Sequence, residues 1–438
     1  MEYKINDISL SEREVEITLT YDEIKNDVEN EVKKQTKNIQ ISGFRKGKVP
    51  MHLLKKMYGD ALEYEASEKV ANNQFWEIAK ENHFHPIGQP SLTDIKFKPG
   101  EDFYFKVKYE VYPTLEVKDY TGNEIEVPDF KVKDEEVEAE IKYILRANST
   151  NEDIDLVGED RNFLLDVEIK RVNTNGEIVE GTKPENIQID LSNERTQQEI
   201  VDNAKGKKIG ESFNFSFNND HTEKDENGND KTVAEVFYYS ALIKGIKKVN
   251  TPELNEELIK KVTKDKVSSE ADLREDIKKD LQNYYDQRVE DFIQDKLIGL
   301  IVQKNEFTPP STLVTNILEE FIKNEEESSK KQGYKKFDRN EAANRLRKSA
   351  EFNVKWFLIK NAIEKKENII VSDEELNELA AKDAEKTGIA VDKLINYYKS
   401  SNYGEKLLDN KVLEFLKEKN NIKRVDPENL LQKETKEQ

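Results

Sequence analysis

The chain has no cysteine in 438 residues, which excludes disulfide bonds and thiolate metal sites. It is also short of apolar residues. Hydrophobic residues make up 35% and charged ones 37%, lean for a compact enzyme and suited to extended helices with much solvated surface. No stretch approaches the length of a membrane span, and Met1-Glu2-Tyr3-Lys4 lacks the apolar run of a signal peptide. A cytoplasmic location with no membrane partner is therefore expected. Positive charge is in deficit: 70 Lys and Arg stand against 90 Asp and Glu, a formal net charge of -20. There is no Gly-rich phosphate loop and no Ser-His-Asp set. His83 and His85 form a His-x-His pair without a third ligand nearby, and they read as structural or surface histidines. The acidic run 225–230 evokes a calcium loop, but with Gly228 as its sixth position the twelfth is Ala234, where a bidentate glutamate is needed. No cofactor and no metal is expected.

Disorder is excluded as well, because apolar residues recur with clear periodicity almost throughout. The length suggests about three domains. Val15, Ile17 and Leu19 alternate with polar residues as in a half-buried strand, and Asp22 is placed to cap a helix carrying Ile24, Val28 and Val32. A second helical region, 51–80, carries Leu54, Met57, Tyr58, Phe75 and Ile78. Alternation then returns at Phe103, Phe105, Val107, Tyr109 and Val111. Residues 1–112 thus read as a small α+β domain. Residues 113–152 form a mixed linker with a strand at 124–127 and a helix at 134–146. Residues 153–249 are strand-rich, with an Asn175-Gly176 hairpin turn and a polar surface loop over 218–231. From residue 250 to 424 the pattern is helical, and 425–438 is a polar tail. The proline-free run 268–303 would span roughly 54 Å as one helix, long enough to be an arm. The fold class expected is α+β multidomain.

Against the acidic background one loop stands out, Gly43-Phe44-Arg45-Lys46-Gly47-Lys48-Val49-Pro50. From Lys37 to Asp60 the cations are Lys37, Arg45, Lys46, Lys48, Lys55 and Lys56, with Asp60 the one acid. Two glycines and a proline prevent a helix across it. A cationic loop with an aromatic at its tip is built to meet something negative, RNA being the obvious candidate. Plain solvation is the blander reading of any short basic loop.

The string resembles the ribosome-docking loop of the bacterial trigger factor family, whose pattern G-F-R-x-G-x-x-P is met at every fixed position. Tyr58-Gly59, Glu110-Val111-Tyr112-Pro113, Thr251-Pro252-Glu253-Leu254 and Tyr397-Tyr398-Lys399 resemble further family segments. The resemblance covers essentially the whole chain. It implies a ribosome-docking domain, an FKBP-type prolyl isomerase domain at 153–249, and a helical chaperone body with arms. By the same resemblance Phe44, Arg45 and Lys46 contact a ribosomal protein and ribosomal RNA beside the exit tunnel of the large subunit. Gly43, Gly47 and Lys48 belong to the same loop, and Pro50 fixes its exit. The partners so implied are the ribosome and unfolded nascent polypeptides. Members of the family can also self-associate, so a homodimer is allowed for off the ribosome.

The middle domain departs from the pattern. Lys205-Gly206-Lys207-Lys208-Ile209-Gly210-Glu211 resembles the segment just after the proline-pocket wall of FKBP-type isomerases, but Thr196-Gln197-Gln198-Glu199-Ile200-Val201 stands where that wall should lie. Positions that are usually aromatic appear as Val167, Ile178 or Val179, and Ile187. The remnant pocket is therefore expected at Val167, Ile178, Val179, Ile187, Ile200 and Tyr239, with Tyr238 and Tyr239 restoring part of the aromatic floor. Without such a floor, most of the means of twisting the imide is lost. The expected function is ATP-independent, ribosome-associated chaperoning of nascent chains. Prolyl isomerisation as the main role and a free cytosolic holdase remain the rivals. Apolar residues of the helical body, Leu297, Ile298, Leu313, Phe321, Trp356, Phe357, Tyr397 and Tyr398, are core by default.

Overall fold

The computed structural model describes residues 2–37, 39, 44, 49–224, 230–334, 336–401 and 403–430. The chain divides into two compact units, Met1–Asp129 with Arg288–Gln438, and Phe130–Gln287.

The first unit opens with an antiparallel sheet under two helices. Strands β1 (Glu2–Asp7) and β2 (Glu12–Leu19) lead into helices α1 (Tyr21–Thr36) and α2 (Met51–Glu81), and β3 (Ile87–Lys96) and β4 (Phe103–Glu110) complete the sheet in the order β1-β2-β4-β3. The alternation in β2 and β4 does what the pattern implies. Val15 lies opposite Val107 and Ile17 opposite Phe105, and all four side chains are buried. Ile24, Val28 and Val32 of α1 and Leu54, Val70, Phe75 and Ile78 of α2 close this core from above. The cap of α1 is Thr20 rather than Asp22. The Thr20 amide donates to Glu23 Oε2 at 2.7 Å in a reciprocal capping box, and Asp22 sits in the first turn, where its charge suits the helix dipole.

Strand β5 (Glu124–Pro128) follows in the same unit. The second unit begins with α3 (Asp134–Ala147), then β6 (Thr150–Ile154), β7 (Phe163–Val172), β8 (Glu185–Asp190) and α4 (Gln198–Ala204). Long strands β9 (Ser212–Lys224) and β10 (Asp230–Asn250) finish its sheet, in the order β6-β10-β7-β8 with β9 beside β10. The polar stretch 218–231 is mostly strand, not loop: Asn218 to Lys224 pair with Val236 back to Asp230. A ladder satisfies backbone groups whatever the side chains, so polarity alone did not predict a break. The turn at Asn173 is as expected, with the Gly176 amide donating to Asn173 O at 3.0 Å and Gly176 at φ 82°. Helices α5 (Glu256–Thr263) and α6 (Glu270–Lys304) come next, and Leu273 and Ile277 of α6 pack with Ile259 of α5 and with Val137 and Ile141 of α3.

In the first unit α6 continues with Val289, Ile293, Leu297 and Ile301 buried at four-residue spacing. Helices α7 (Ser311–Lys331) and α8 (Arg339–Glu367) form a helical hairpin whose core includes Val314, Ala350, Val354 and Leu358. Helices α9 (Asp373–Thr387), α10 (Val391–Ser400) and α11 (Tyr403–Glu418) follow, with Tyr398 buried and stacked on Tyr403 at 4.2 Å. Tyr397 and Phe357, core by default in the sequence, are exposed. Strand β11 (Asn421–Val425) then pairs in parallel with β5. Buried Asn420 locks this ladder: its Oδ1 accepts from the Asn123 amide at 2.8 Å and its Nδ2 donates to Tyr120 O at 2.9 Å. Among the described residues no helix is long and apolar enough to cross a membrane.

Candidate functional site

Two regions are the candidates singled out for function, a loop in the first unit and a sheet face in the second. Of the loop residues singled out in the sequence, Phe44 and Pro50 are described, while Gly43, Arg45, Lys46, Gly47 and Lys48 lie outside the described residues. Phe44 is 40% exposed, with no place in the core. Residues on either side of the loop are tied down. Ile39 and Val49 pack against the sheet-and-helix core, the Ile39 amide donates to Thr36 O at 3.3 Å, and Pro50 O accepts the Leu53 and Leu54 amides that start α2. A loop with both flanks anchored presents its tip at lower entropic cost on binding. Met57, Tyr58 and Tyr64 of α2 are exposed as well. Tyr64 falls off the Leu54–Leu62–Ala66–Val70 stripe, a signal the sequence carried. Tyr58 is in step with that stripe and gave none.

In the second unit, cross-strand register assigns faces, since directly opposed residues share a face. Val167 lies opposite Ile187 and Ile243, Ile169 opposite Ala241, and Arg171 opposite Tyr239. Val167 and Ile200 are buried, Ile200 on α4, which covers one end of this face. Tyr239 packs against the same cluster and stacks on Phe215, centroids 5.4 Å apart. Val167, Ile187, Ile200 and Tyr239 are therefore brought together. Ile178 is not. It is 60% exposed and bridges to Val172, which shares its face with Tyr238, on the reverse side of the sheet. Val179 is half-buried at the edge, its amide donating to Arg171 O at 3.1 Å.

The face has more aromatic surface than Tyr239 alone supplies. Phe213, Phe215 and Phe217 lie opposite Ala241, Tyr239 and Phe237. Phe213 and Phe215 are buried, Phe217 is exposed, and the Arg171 guanidinium sits 4.1 Å over the Phe237 ring. Aromatic side chains of β9 and β10 thus lie on the face where the sequence implied little aromatic surface. The period-two run Phe213-Asn214-Phe215-Ser216-Phe217 was the available signal. At the segment where the wall was expected, residues 198–204 form α4, and Arg161 holds its approach, donating to Leu191 O, Asn193 O and Thr196 O.

His83 and His85 stack at 6.0 Å, and among the described residues no group of three His, Cys, Asp or Glu could hold a metal ion. In the first unit Glu110, at the end of β4, accepts the Ser311 and Thr312 amides at 2.7 and 2.9 Å, so it caps α7. Burial alone would raise its carboxyl, but the groups donated by Thr312 and Ser311 outweigh that and hold its pKa below the ordinary value.

Two family models match the chain: bacterial trigger factor protein over residues 1–144, and the bacterial trigger factor protein C-terminus over residues 270–418. Together they span more than half of it. The chain belongs to the trigger factor family. As a member it is a ribosome-associated chaperone of α+β multidomain fold, with an N-terminal α+β region, a β-rich middle and a helical C-terminal part. Trigger factor of Chlorobaculum parvum is 28% identical over 410 residues, covering 93% of each chain. That of Chloroherpeton thalassium is 27% identical over 422 residues, covering 95% of this chain and 96% of its own. Among solved structures, a chain described as "Promiscuous Substrate Recognition in Folding and Assembly Activities of the Trigger Factor Chaperone" is 19% identical with a TM-score of 0.49, covering 95% of this chain and 99% of its own.

Proposed function

We propose that this chain docks on the large ribosomal subunit beside the exit tunnel, through Phe44, Arg45 and Lys46, and shelters emerging polypeptides without ATP. Gly43, Gly47 and Lys48 shape and extend the loop, and Pro50 sets its exit into α2. The contacts are to a ribosomal protein and to ribosomal RNA, where Arg45 and Lys46 pair with carboxylate or phosphate and Phe44 buries an apolar ring. The protein acts in the cytoplasm and can form a homodimer when free. In this reading residues 1–112 are the docking domain, 113–152 a linker, 153–249 the FKBP-like domain, 250–424 the helical chaperone body and 425–438 a polar tail. The observation that carries it is the exposed Phe44 in a cationic run with anchored flanks, on a chain of net charge -20. Ribosome co-sedimentation tests it. Wild type should pellet with ribosomes, and a Phe44→Ala, Arg45→Ala, Lys46→Ala variant should stay in the supernatant. Equal pelleting would overturn the docking assignment.

One observation favours a second activity beside the first. The face bearing Ile169, Phe215, Phe217, Phe237 and Tyr239 is an apolar floor able to desolvate a prolyl imide, which lowers the cost of twisting it out of conjugation. Prolyl isomerisation would then accompany holding.

A further inference from the structure

The hairpin of α7 and α8 closes through a second cationic run, Lys330-Lys331-Gln332-Gly333-Tyr334-Lys335-Lys336-Phe337, again without an acid and again with a glycine beside an aromatic. Lys335 lies outside the described residues. The end of α7 is a Schellman turn. The Gly333 amide donates to Lys330 O and the Tyr334 amide to Ser329 O, both at 3.1 Å, with Gly333 at φ 85°. In such turns the residue after the glycine commonly packs back on the helix. Here the position it would pack on is Ser329, which has no apolar surface, and Tyr334 is left 65% exposed.

The charges around the tip are sorted in an informative way. Arg339 pairs with Glu319 and Glu326, Arg345 with Glu325, and Lys330 with Glu326. Asp338 is spent capping α8, accepting the Asn340 and Glu341 amides. These carboxylates are engaged along the stems, while Lys331 and Lys336 have no ion pair among the described residues, and both are exposed. The result is an aromatic ring flanked by two exposed cations without a salt bridge among the described residues, at the end of a helical hairpin, with exposed Glu327 one turn back along α7. Exposed rings beside cations are how single-stranded nucleic acid is held without sequence preference, by stacking bases and tracking phosphates. An acidic peptide would use the lysines but not the ring. The strong negative charge elsewhere confines any polyanion to such tips.

We propose that Lys331, Tyr334 and Lys336, where α7 and α8 join, form a second RNA-contacting site, with Lys331 and Lys336 on backbone phosphates and Tyr334 stacking on an unpaired base. This holds whether or not the Phe44 loop docks on the ribosome. The test uses the full chain carrying Phe44→Ala, Arg45→Ala and Lys46→Ala, which silences the first loop, and follows fluorescence anisotropy of a single-stranded RNA of about 12 nucleotides. Measurable, salt-sensitive binding should remain. Tyr334→Ala should weaken it by about tenfold and Tyr334→Phe should retain it. Lys331→Ser with Lys336→Ser should lower the slope of log affinity against log salt by about 1.4. Circular dichroism of each variant should match the parent, since the tip supports no core. No RNA binding in the parent, binding unchanged by all tip substitutions, or equal affinity for a polyglutamate peptide would each overturn the proposal.

Discussion

Glu110 ends β4 and starts α7, so one carboxylate belongs to the sheet and to the helical hairpin at once. A negative charge at a helix N-terminus is favourable on two counts, the dipole and the unpaired amides of the first turn. Glu110→Gln keeps the size and removes the charge, and should cost about 1 kcal/mol after screening of a half-exposed group. Because the folded pKa is lowered, this contribution is complete above the unfolded carboxylate value and is lost as the pH falls through the folded one. Urea unfolding of wild type and variant should therefore differ at neutral pH and converge once both carry a neutral side chain in acid. A difference that persisted below the folded pKa would assign the effect to packing. The neighbouring close approach is strict too. A Cβ on Gly88, at φ 68°, would fall 2.4 Å from Thr312 Oγ1, so the sheet meets the start of α7 where only glycine fits.

The aromatic face is a property of elements, since no single strand carries it. Phe217 and Phe237 are cross-strand partners on β9 and β10, and neither belongs to the buried cluster under α4. Replacing both by Ala should leave the domain folded and remove much of the floor. If the face isomerises prolyl bonds, wild type should speed a proline-limited refolding reaction that is otherwise slow over tens of seconds or more, and the double variant should lose about tenfold of that rate. Suppression of aggregation should be unaffected in the same samples. No acceleration by wild type would remove the second activity. The sequence carried part of this arrangement. Strong alternation in β2 and β4 and the stripe of α1 were readable because each buries one continuous face. The phenylalanines of β9 alternate as clearly, yet their meaning depends on the register that sets Phe215 against Tyr239. Strand β11 was unreadable. It is five residues long, its partner β5 is almost 300 residues away, and its lock is a pair of asparagines that look like loop residues until they are seen buried.

At the scale of the whole molecule, charge decides where a polyanion can approach. With a formal charge of -20, most of the surface repels RNA, and cationic loops with exposed rings are the exceptions. The cationic loop proposed to dock was visible in the sequence because a run of cations on an acidic chain needs no tertiary context, and its family motif needs none either. The role of its flanks was not, since Ile39 and Val49 become anchors only once the core they join exists. If the loop docks on the ribosome as proposed, its work is divided between charge and ring, and salt separates the two. Ribosome affinity should fall steeply with ionic strength. Arg45→Ala should lower the slope of log affinity against log salt by roughly one, as for one lost phosphate contact. Phe44→Ala should instead weaken binding by a similar factor at every salt concentration, because burying a ring against a protein releases no counterions. Titrating both variants over ribosomes between low and moderate salt resolves them. A slope unchanged by Arg45→Ala would place that contact on protein, and a slope altered by Phe44→Ala would mean the ring orders the cations beside it.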